Sequence, residues 1–506
     1  MRRSLLAAAS LLCLLSAHAV AQDAPTQTLR IGLNEDGDSL DPTLARTFVG
    51  RIVFAGLCDK LFDINEKLEI VPQLATSFEY TDPKTLIIHL RPGVKFHDET
   101  AMDAASVKYS LDRHATLAGS FRKGELSAMD HVDVVDPLTV KVTLKQASSP
   151  FLSQLTDRAG MIISPKAAEA EGKDFGLHPV CAGPFKFVER VAQDHITLDR
   201  FADYWDAKNI HFARVIYRPI PDGSVKLANL QAGSLEIAER IAPSDVPAIQ
   251  KDPKLNIAVF PSLGFESINI NVGNGERAKL PLGSSALVRK AFELSIDREG
   301  LMQVVYNGLF PATAQAIPLA SPFYAPEVKV PARDVAKAKA LLAQAGVKLP
   351  VPVTLTVSTS PIQKQTGEVI QSMAAEAGFD VKVQSTEFAT MLSAETAGDF
   401  EASAIGWSGR ADPDGNLYSF FYTGAPLNDW KYSNKDVDGW LDAARATNDL
   451  AARKALYAKI EAKVEEDLPV LYLDNNAWVT GSSKKLTGLR TVPDGMIRIQ
   501  GMELAK

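Results

Sequence analysis

Short apolar runs with a two-residue alternation are interleaved along this chain with longer stretches whose apolar residues recur every three to four positions. The first pattern predicts strands and the second predicts amphipathic helices, so their repeated exchange predicts mixed α/β domains. Leu29 to Leu33 reads as a first strand, followed by the loop Asn34-Glu35-Asp36-Gly37-Asp38. Leu86 to Leu90 alternates into a turn at Arg91-Pro92-Gly93, and Val94 to His97 is expected as its hairpin partner. Asp103 is placed to cap a helix running through Val107, Leu111 and Arg113. Later helices are expected over Ser285–Ile296, Asp334–Ala345, Ile362–Ala377 and Leu450–Glu466, each stopped by glycine or a charged turn. No tandem repeat, low-complexity tract or long linker interrupts the series, so any domain crossing is short.

One strand end carries more than packing chemistry. Phe400 to Ile405 stops at Gly406-Trp407-Ser408-Gly409, and Arg410-Ala411-Asp412-Pro413-Asp414 follows. Glycine admits a ligand or a second backbone at close range, and the Asp412-Pro413 pair forces a turn that presents the neighbouring charges. The segment reads as the floor of a ligand cleft, with an ordinary strand exit carrying solvated charges as the alternative.

The N-terminus changes the picture of where the chain works. Arg2 and Arg3 precede an apolar stretch, Leu5 to Leu15, far shorter than the roughly 20 residues that span a bilayer. Ala19-Val20-Ala21 then gives the small-x-small pattern of a secretory cleavage site, so residues 1–21 are expected to be a signal peptide. Leu11 and Leu12 stand where a lipoprotein signal wants small residues, which leaves Cys13 without that role. The expected address is the periplasm, for a protein not inserted in the membrane. Losing both arginines would take the formal charge from −7 to −9, which argues against nucleic acid as a partner. Cys58 and Cys181 remain, in a compartment that permits disulfides; a bridge is favoured over two separate buried thiols.

The block Ser77-Phe78-Glu79, Leu86 through Asp98 and Ala105 through Arg113 closely resembles the signature of the family 5 extracellular solute-binding proteins, the dipeptide and oligopeptide receptors of ABC importers. Ala182-Gly183-Pro184-Phe185, Leu227 to Gly233, Val288 to Phe292 with Ile296-Asp297-Arg298, and Ala338 to Gly346 extend the likeness over nearly the whole chain in the expected order. The resemblance implies a periplasmic binding protein fold of the large peptide-receptor kind (type II), with two lobes closing over a ligand. Lobe I would comprise residues 22–57, 180–265 and 475–506, its inserted subdomain 58–179, and lobe II 266–474. Gly264 to Ile270 and Val470 to Asp474 read independently as strands crossing between the lobes. The implied function is capture of a peptide or peptide-like solute, delivered by a monomeric receptor to permease subunits and their ATPases, with no chemistry and no cofactor.

In the dipeptide receptors a motif similar to Gly406-Trp407-Ser408-Gly409 lies at the cleft, and the aspartate after it anchors the ligand ammonium. Here that position is Arg410. An arginine there suits a ligand carboxylate, which turns the expectation toward anions such as opines or acyl amino acids, unless Arg410 pairs internally with Asp412 or Asp414. A metal or haem complex as cargo is a further reading the resemblance leaves open. Other expected ligand contacts are Glu35 and Asp36 after the first strand, Tyr109 on the helix that Asp103 caps, Phe265 on the outward crossing and Tyr472 on the return; Trp430, Trp440 and Trp478 are expected to pack. A secreted hydrolase is disfavoured, because Gly406-Trp407-Ser408-Gly409-Arg410 lacks the final glycine of a nucleophile elbow and Ser482-Ser483-Lys484-Lys485 lacks companion motifs.

Overall fold

The computed structural model describes residues 26–319, 321–447 and 449–505, so the expected signal peptide and Cys13 lie outside the described residues. The chain opens with β1 (Thr28–Leu33) and α1 (Phe48–Leu57), then leaves to build a separate sheet. That excursion contains β2 (Ala75–Asp82), β3 (Thr85–Leu90), α2 (Ala104–Thr116), β4 (Met129–Asp136) and β5 (Thr139–Leu144). The chain then returns beside β1 with β6 (Phe185–Val191), β7 (His195–Arg200), β8 (Arg214–Pro219), α3 (Gly223–Gln231), β9 (Ile237–Ala238) and β10 (Leu255–Pro261).

It crosses on β11 (Phe265–Ile270) into a region holding α4 (Ala286–Ser295), α5 (Val335–Gln344), β12 (Val351–Ser358), α6 (Pro361–Ala375), β13 (Phe379–Thr386), β14 (Ala402–Trp407) and α7 (Leu450–Asp467). β15 (Val470–Asp474) belongs to that second sheet, and β16 (Ala477–Ser483) lies back in the first.

Three principal sheets result: seven strands in the order β10-β16-β9-β1-β8-β7-β6, five in the order β13-β12-β14-β11-β15, and four in the order β2-β3-β5-β4. Each buries its own apolar face. Ile31 and Leu33 of β1 pack with Phe54 and Leu57 of α1, Ile268 and Leu355 with Phe292 of α4, and Ile88 and Val142 with Val107 and Leu111 of α2. α2 begins where the sequence predicts, because the Asp103 carboxylate accepts the Ser106 backbone N–H at 2.9 Å. The expected hairpin partner at Val94–His97 does not form. β3 already pairs with β2 on one edge and β5 on the other, and after the turn Lys95 makes a single bridge to Ala101. Cys58, just past α1, is bonded to Cys181, with the two Cα atoms 4.9 Å apart across a separation of 123 residues. The bond staples the base of the four-stranded excursion. Closing a loop of that size stabilises by about 4 to 5 kcal/mol in the chain-entropy model.

Strand direction is what positions the site. β1 runs parallel to both β8 and β9, and β12 runs parallel to both β13 and β14. In open α/β sheets the loops leaving the carboxyl ends of such strands form the ligand crevice. Both sets of carboxyl ends here meet across one cavity.

Candidate functional site

The cavity has a volume of about 430 Å³. From the first sheet it is lined by Asn34 and Glu35 after β1, Asp222 after β8, and Arg240 after β9. From the second it is lined by Ser360 after β12, Phe388 after β13, and Gly406, Trp407 and Ser408 at the end of β14. Phe265 and Glu266 of β11 and Tyr472 of β15 complete the wall where the chain crosses, with Phe265 and Tyr472 edge to face at 4.8 Å.

Polar contacts bind the two walls together. Arg46, ahead of α1, pairs with Asp429 at 2.8 Å and donates to Thr396 Oγ1 at 3.0 Å. Arg51 of α1 donates to Ser408 Oγ at 2.9 Å. Gln154 donates to Asp414 at 3.1 Å, and Arg445 donates to Ser127 Oγ at 2.7 Å.

Carboxylates in this cavity are held in their protonated form to unusual pH. Burial pushes Glu35 up to about 7, with Arg240 opposing the rise and Glu239 adding to it. Glu395 also reaches about 7, through burial and then the neighbouring Asp429. Burial raises Glu266 too, against the pull of Arg240. Arg240 itself lies over a stacked Phe48–Trp478 pair, its Cζ 5.1 Å and 5.6 Å from the two ring centroids. Its nearest ion-pair contact is Glu239, at 3.6 Å. Its φ of +47° is a left-handed conformation that a non-glycine residue rarely adopts. Among the described residues no group of His, Cys, Asp and Glu is arranged to hold a metal ion.

The sequence profile of the bacterial extracellular solute-binding proteins, family 5 Middle, matches residues 69–428. The chain belongs to that family. It is 31% identical over 487 residues to a glutathione-binding protein, GsiB, of Pectobacterium atrosepticum, covering 92% of each chain. Among solved structures, the agropinic-acid-bound AgaA of A. tumefaciens R10 superposes with a TM-score of 0.86 at 27% identity, covering 95% of this chain and 99% of that one. The DppA of Helicobacter pylori, in complex with the peptide STSA, gives 0.88 at 24% identity over 96% and 99%, a likeness of fold. This family member is therefore a mixed α/β protein of the periplasmic binding protein fold. No helix among its described residues is long and apolar enough to cross a membrane.

Within this solute-binding protein, the expected contacts separate into two groups. Glu35, Phe265, Gly406, Trp407, Ser408 and Tyr472 line the cavity. Gly406 makes room for a neighbour other than the ligand: a Cβ there would meet Glu266 Oε1 at 2.3 Å.

Arg410, Asp412, Asp36 and Tyr109 are not on the cavity wall. The Arg410 guanidinium lies 4.3 Å from the centroid of the Trp407 ring and pairs with Asp157 at 3.0 Å. Its internal partner is thus neither Asp412 nor Asp414. Asp412 is taken by Arg453 at 2.7 Å and Asp414 by Arg445 at 2.6 Å. Asp36 turns away to accept from Arg190 Nη2 at 3.1 Å and the Gln193 backbone N–H at 3.0 Å. Tyr109 packs on the core of the seven-stranded sheet.

Conversely, Trp430 and Trp478, expected to be packing alone, both reach the cavity, as do Arg122, Arg158 and Arg240. Arg240 was discoverable by one signal, its place just past a short apolar strand. Arg122 and Arg158 carried none, since nothing in their sequence surroundings separates a buried arginine from an exposed one.

Proposed function

We propose that this protein is the solute receptor of an ABC importer and takes a peptide or peptide-like solute into the cavity between its two sheets. The observation that carries this reading is the meeting of two sets of parallel-strand carboxyl ends across a cavity of about 430 Å³. A site of this size suits a small solute. Its wall combines aromatic faces such as Phe265, Trp407, Tyr472 and Trp478 with charged groups of both signs, which suits a small polar solute. The glutathione, peptide and opine named with its relatives share that chemistry, being small solutes with amide or amine and carboxylate groups.

Residues 22–57, 180–265 and 475–506 form lobe I in this reading, 58–179 its inserted subdomain and 266–474 lobe II. The grouping of strands by sheet and by core supports that division. The contacts from Arg46, Arg51 and Arg445 across the cleft belong to the ligand-closed form, which docks on permease subunits served by ATPases. Residues 1–21 act as a cleaved signal peptide, and the receptor works as a periplasmic monomer. Its task is binding without turnover.

A thermal scan tests the reading on protein freed of carried-over solute by unfolding and refolding. Glutathione, neutral dipeptides and agropinic acid are the probes. At least one is expected to stabilise the fold by about 2.7 kcal/mol at a hundredfold excess over its Kd, and Trp407→Ala is expected to remove that gain. No stabilisation by any of them overturns the assignment.

A further inference from the structure

Charge is distributed unequally along the cleft. Around the ends of β1 and β9, the carboxylates of Glu35, Glu239 and Glu266 face Arg240 and the buried Lys226. Positive charge there is answered. On the side toward the four-stranded excursion the balance reverses. Arg51, Arg122, Arg158 and Arg410 cluster on two carboxylates, Asp157 and Glu125, and none of the six side chains is more than 9% exposed.

Asp157 takes Arg51 at 2.7 Å and Arg410 at 3.0 Å, with Arg158 at 3.6 Å, while Glu125 takes Arg122 at 2.5 Å. Two guanidinium charges are left over. The Ala45 carbonyl accepts from both Arg158 Nη1 at 2.8 Å and Arg122 Nη2 at 3.3 Å, a dipole shared between two full charges. The Nε atoms of Arg51, Arg122 and Arg158, and Nη2 of Arg410, are buried without an acceptor.

Buried charge is ordinarily paired, because removing it from water unpaired costs far more than a hydrogen bond returns. Guanidinium cannot escape by losing its proton. Arg122 and Arg158 line the same cavity that holds the solute, so the missing counter-charge has one open direction from which to come. We propose that Arg122 and Arg158 form the subsite for a carboxylate of the bound solute, so that an acidic peptide or amino-acid conjugate is held more tightly than one whose carboxylates are blocked.

This assignment rests on the receptor reading above, and its test separates the two. A casein digest, and the same digest with every carboxylate converted to its methyl ester, are passed over the immobilised wild-type protein, and the retained fraction is quantified by mass spectrometry. The native digest is expected to be retained at least about tenfold more than the ester, the discrimination given by losing a charge-assisted contact. Arg158→Gln and Arg122→Gln are expected to abolish that preference. A merely structural role would lower the melting temperature of these variants and leave the preference for free acid intact. If a variant fails to fold, the two digests on unaltered protein decide alone. Equal retention of native and esterified digest overturns the carboxylate subsite while the receptor reading stands; retention of neither overturns the subsite as one for peptides, and the receptor reading falls with it only if the thermal scan above also shows no stabilisation.

Discussion

At one end of the cleft Arg240 sits among Glu35, Glu239 and Glu266; at the other Asp157 sits among Arg51, Arg158 and Arg410. The two clusters are near mirror images in sign, and they differ in what they can do about their excess. Carboxylates that are crowded and buried can take up protons, as Glu35 does with a pKa raised by burial to about 7. Guanidinium groups keep theirs. The excess at the carboxylate end is therefore adjustable by pH, whereas the excess at the arginine end is permanent and has to be met by position, by dipoles or by a bound anion.

The sharpest way to break the comparison is to remove the carboxylate that holds the arginines. Burial alone would raise the Asp157 carboxyl, but Arg410, Arg51 and Arg158 hold it well below the ordinary range. Asp157→Ala leaves three guanidinium groups facing one another without that counter-charge. A loss of about 3 to 5 kcal/mol is expected, as for a buried pair stripped of one partner, and a urea denaturation series would measure it. A loss below about 1 kcal/mol would mean that water already reaches the cluster.

Next in size is a change to the crossing that carries both ends to one cavity. A Cβ on Gly264 would sit 2.0 Å from the Trp407 carbonyl oxygen, a backbone atom with nowhere to go. Gly264→Ala is expected to destabilise by about 1 to 3 kcal/mol through overpacking. Gly406→Ala meets only the movable end of the Glu266 side chain. It should be better tolerated, with its effect on solute affinity instead, so that urea midpoints and binding titrations move in opposite order for the two variants.

Much of this frame was legible in the sequence because it rests on local rules. Period-two and period-3.6 patterns placed β1, α2, α4, α5, α6 and α7 to within a few residues, and the strand-end logic that pointed to Trp407 and Ser408 brought both to the cavity. What failed depended on distant partners. Val94–His97 looked like a strand, but both edges of β3 were claimed by other strands. Arg410 was expected to meet a ligand carboxylate, yet its partner is Asp157, from the other side of the cleft and 253 positions earlier in the chain. No window around Arg158 shows that its charge is buried, because its acceptor, the Ala45 carbonyl, lies 113 positions away in the chain. The strand ends that line the cleft were foreseeable, then, while the charges that distant segments bring to it were not.

The polarity can be sharpened with a substitution expected to do little. Arg410→Met keeps the length of the side chain and its contact with Trp407 while removing one of the surplus charges. Asp157 keeps Arg51 and Arg158. Stability is expected to stay within about 1 kcal/mol of wild type, in contrast to Asp157→Ala, since replacing part of an overcharged buried cluster by an apolar isostere is often neutral or favourable. A urea midpoint close to that of Asp157→Ala would show instead that the cluster is charge-balanced as it stands.

An effect that is absent at low pH and grows as pH rises probes the adjustable end. A carboxyl whose pKa is higher in the folded state than in the unfolded one binds its proton more tightly when folded. Its contribution to stability is present below the unfolded pKa and is lost as pH rises through the folded one. For Glu35 the window runs from its ordinary value of 4.5 to about 7. Glu35→Gln fixes the neutral form and should flatten that part of the stability profile, leaving the fall from Glu395 in the same window in place. Melting temperatures of the two proteins should agree near pH 4 and diverge by pH 8, with the variant the more stable. Identical profiles would show that Glu35 titrates as it does in the unfolded chain, and the carboxylate end would then hold as permanent a charge as the arginine end.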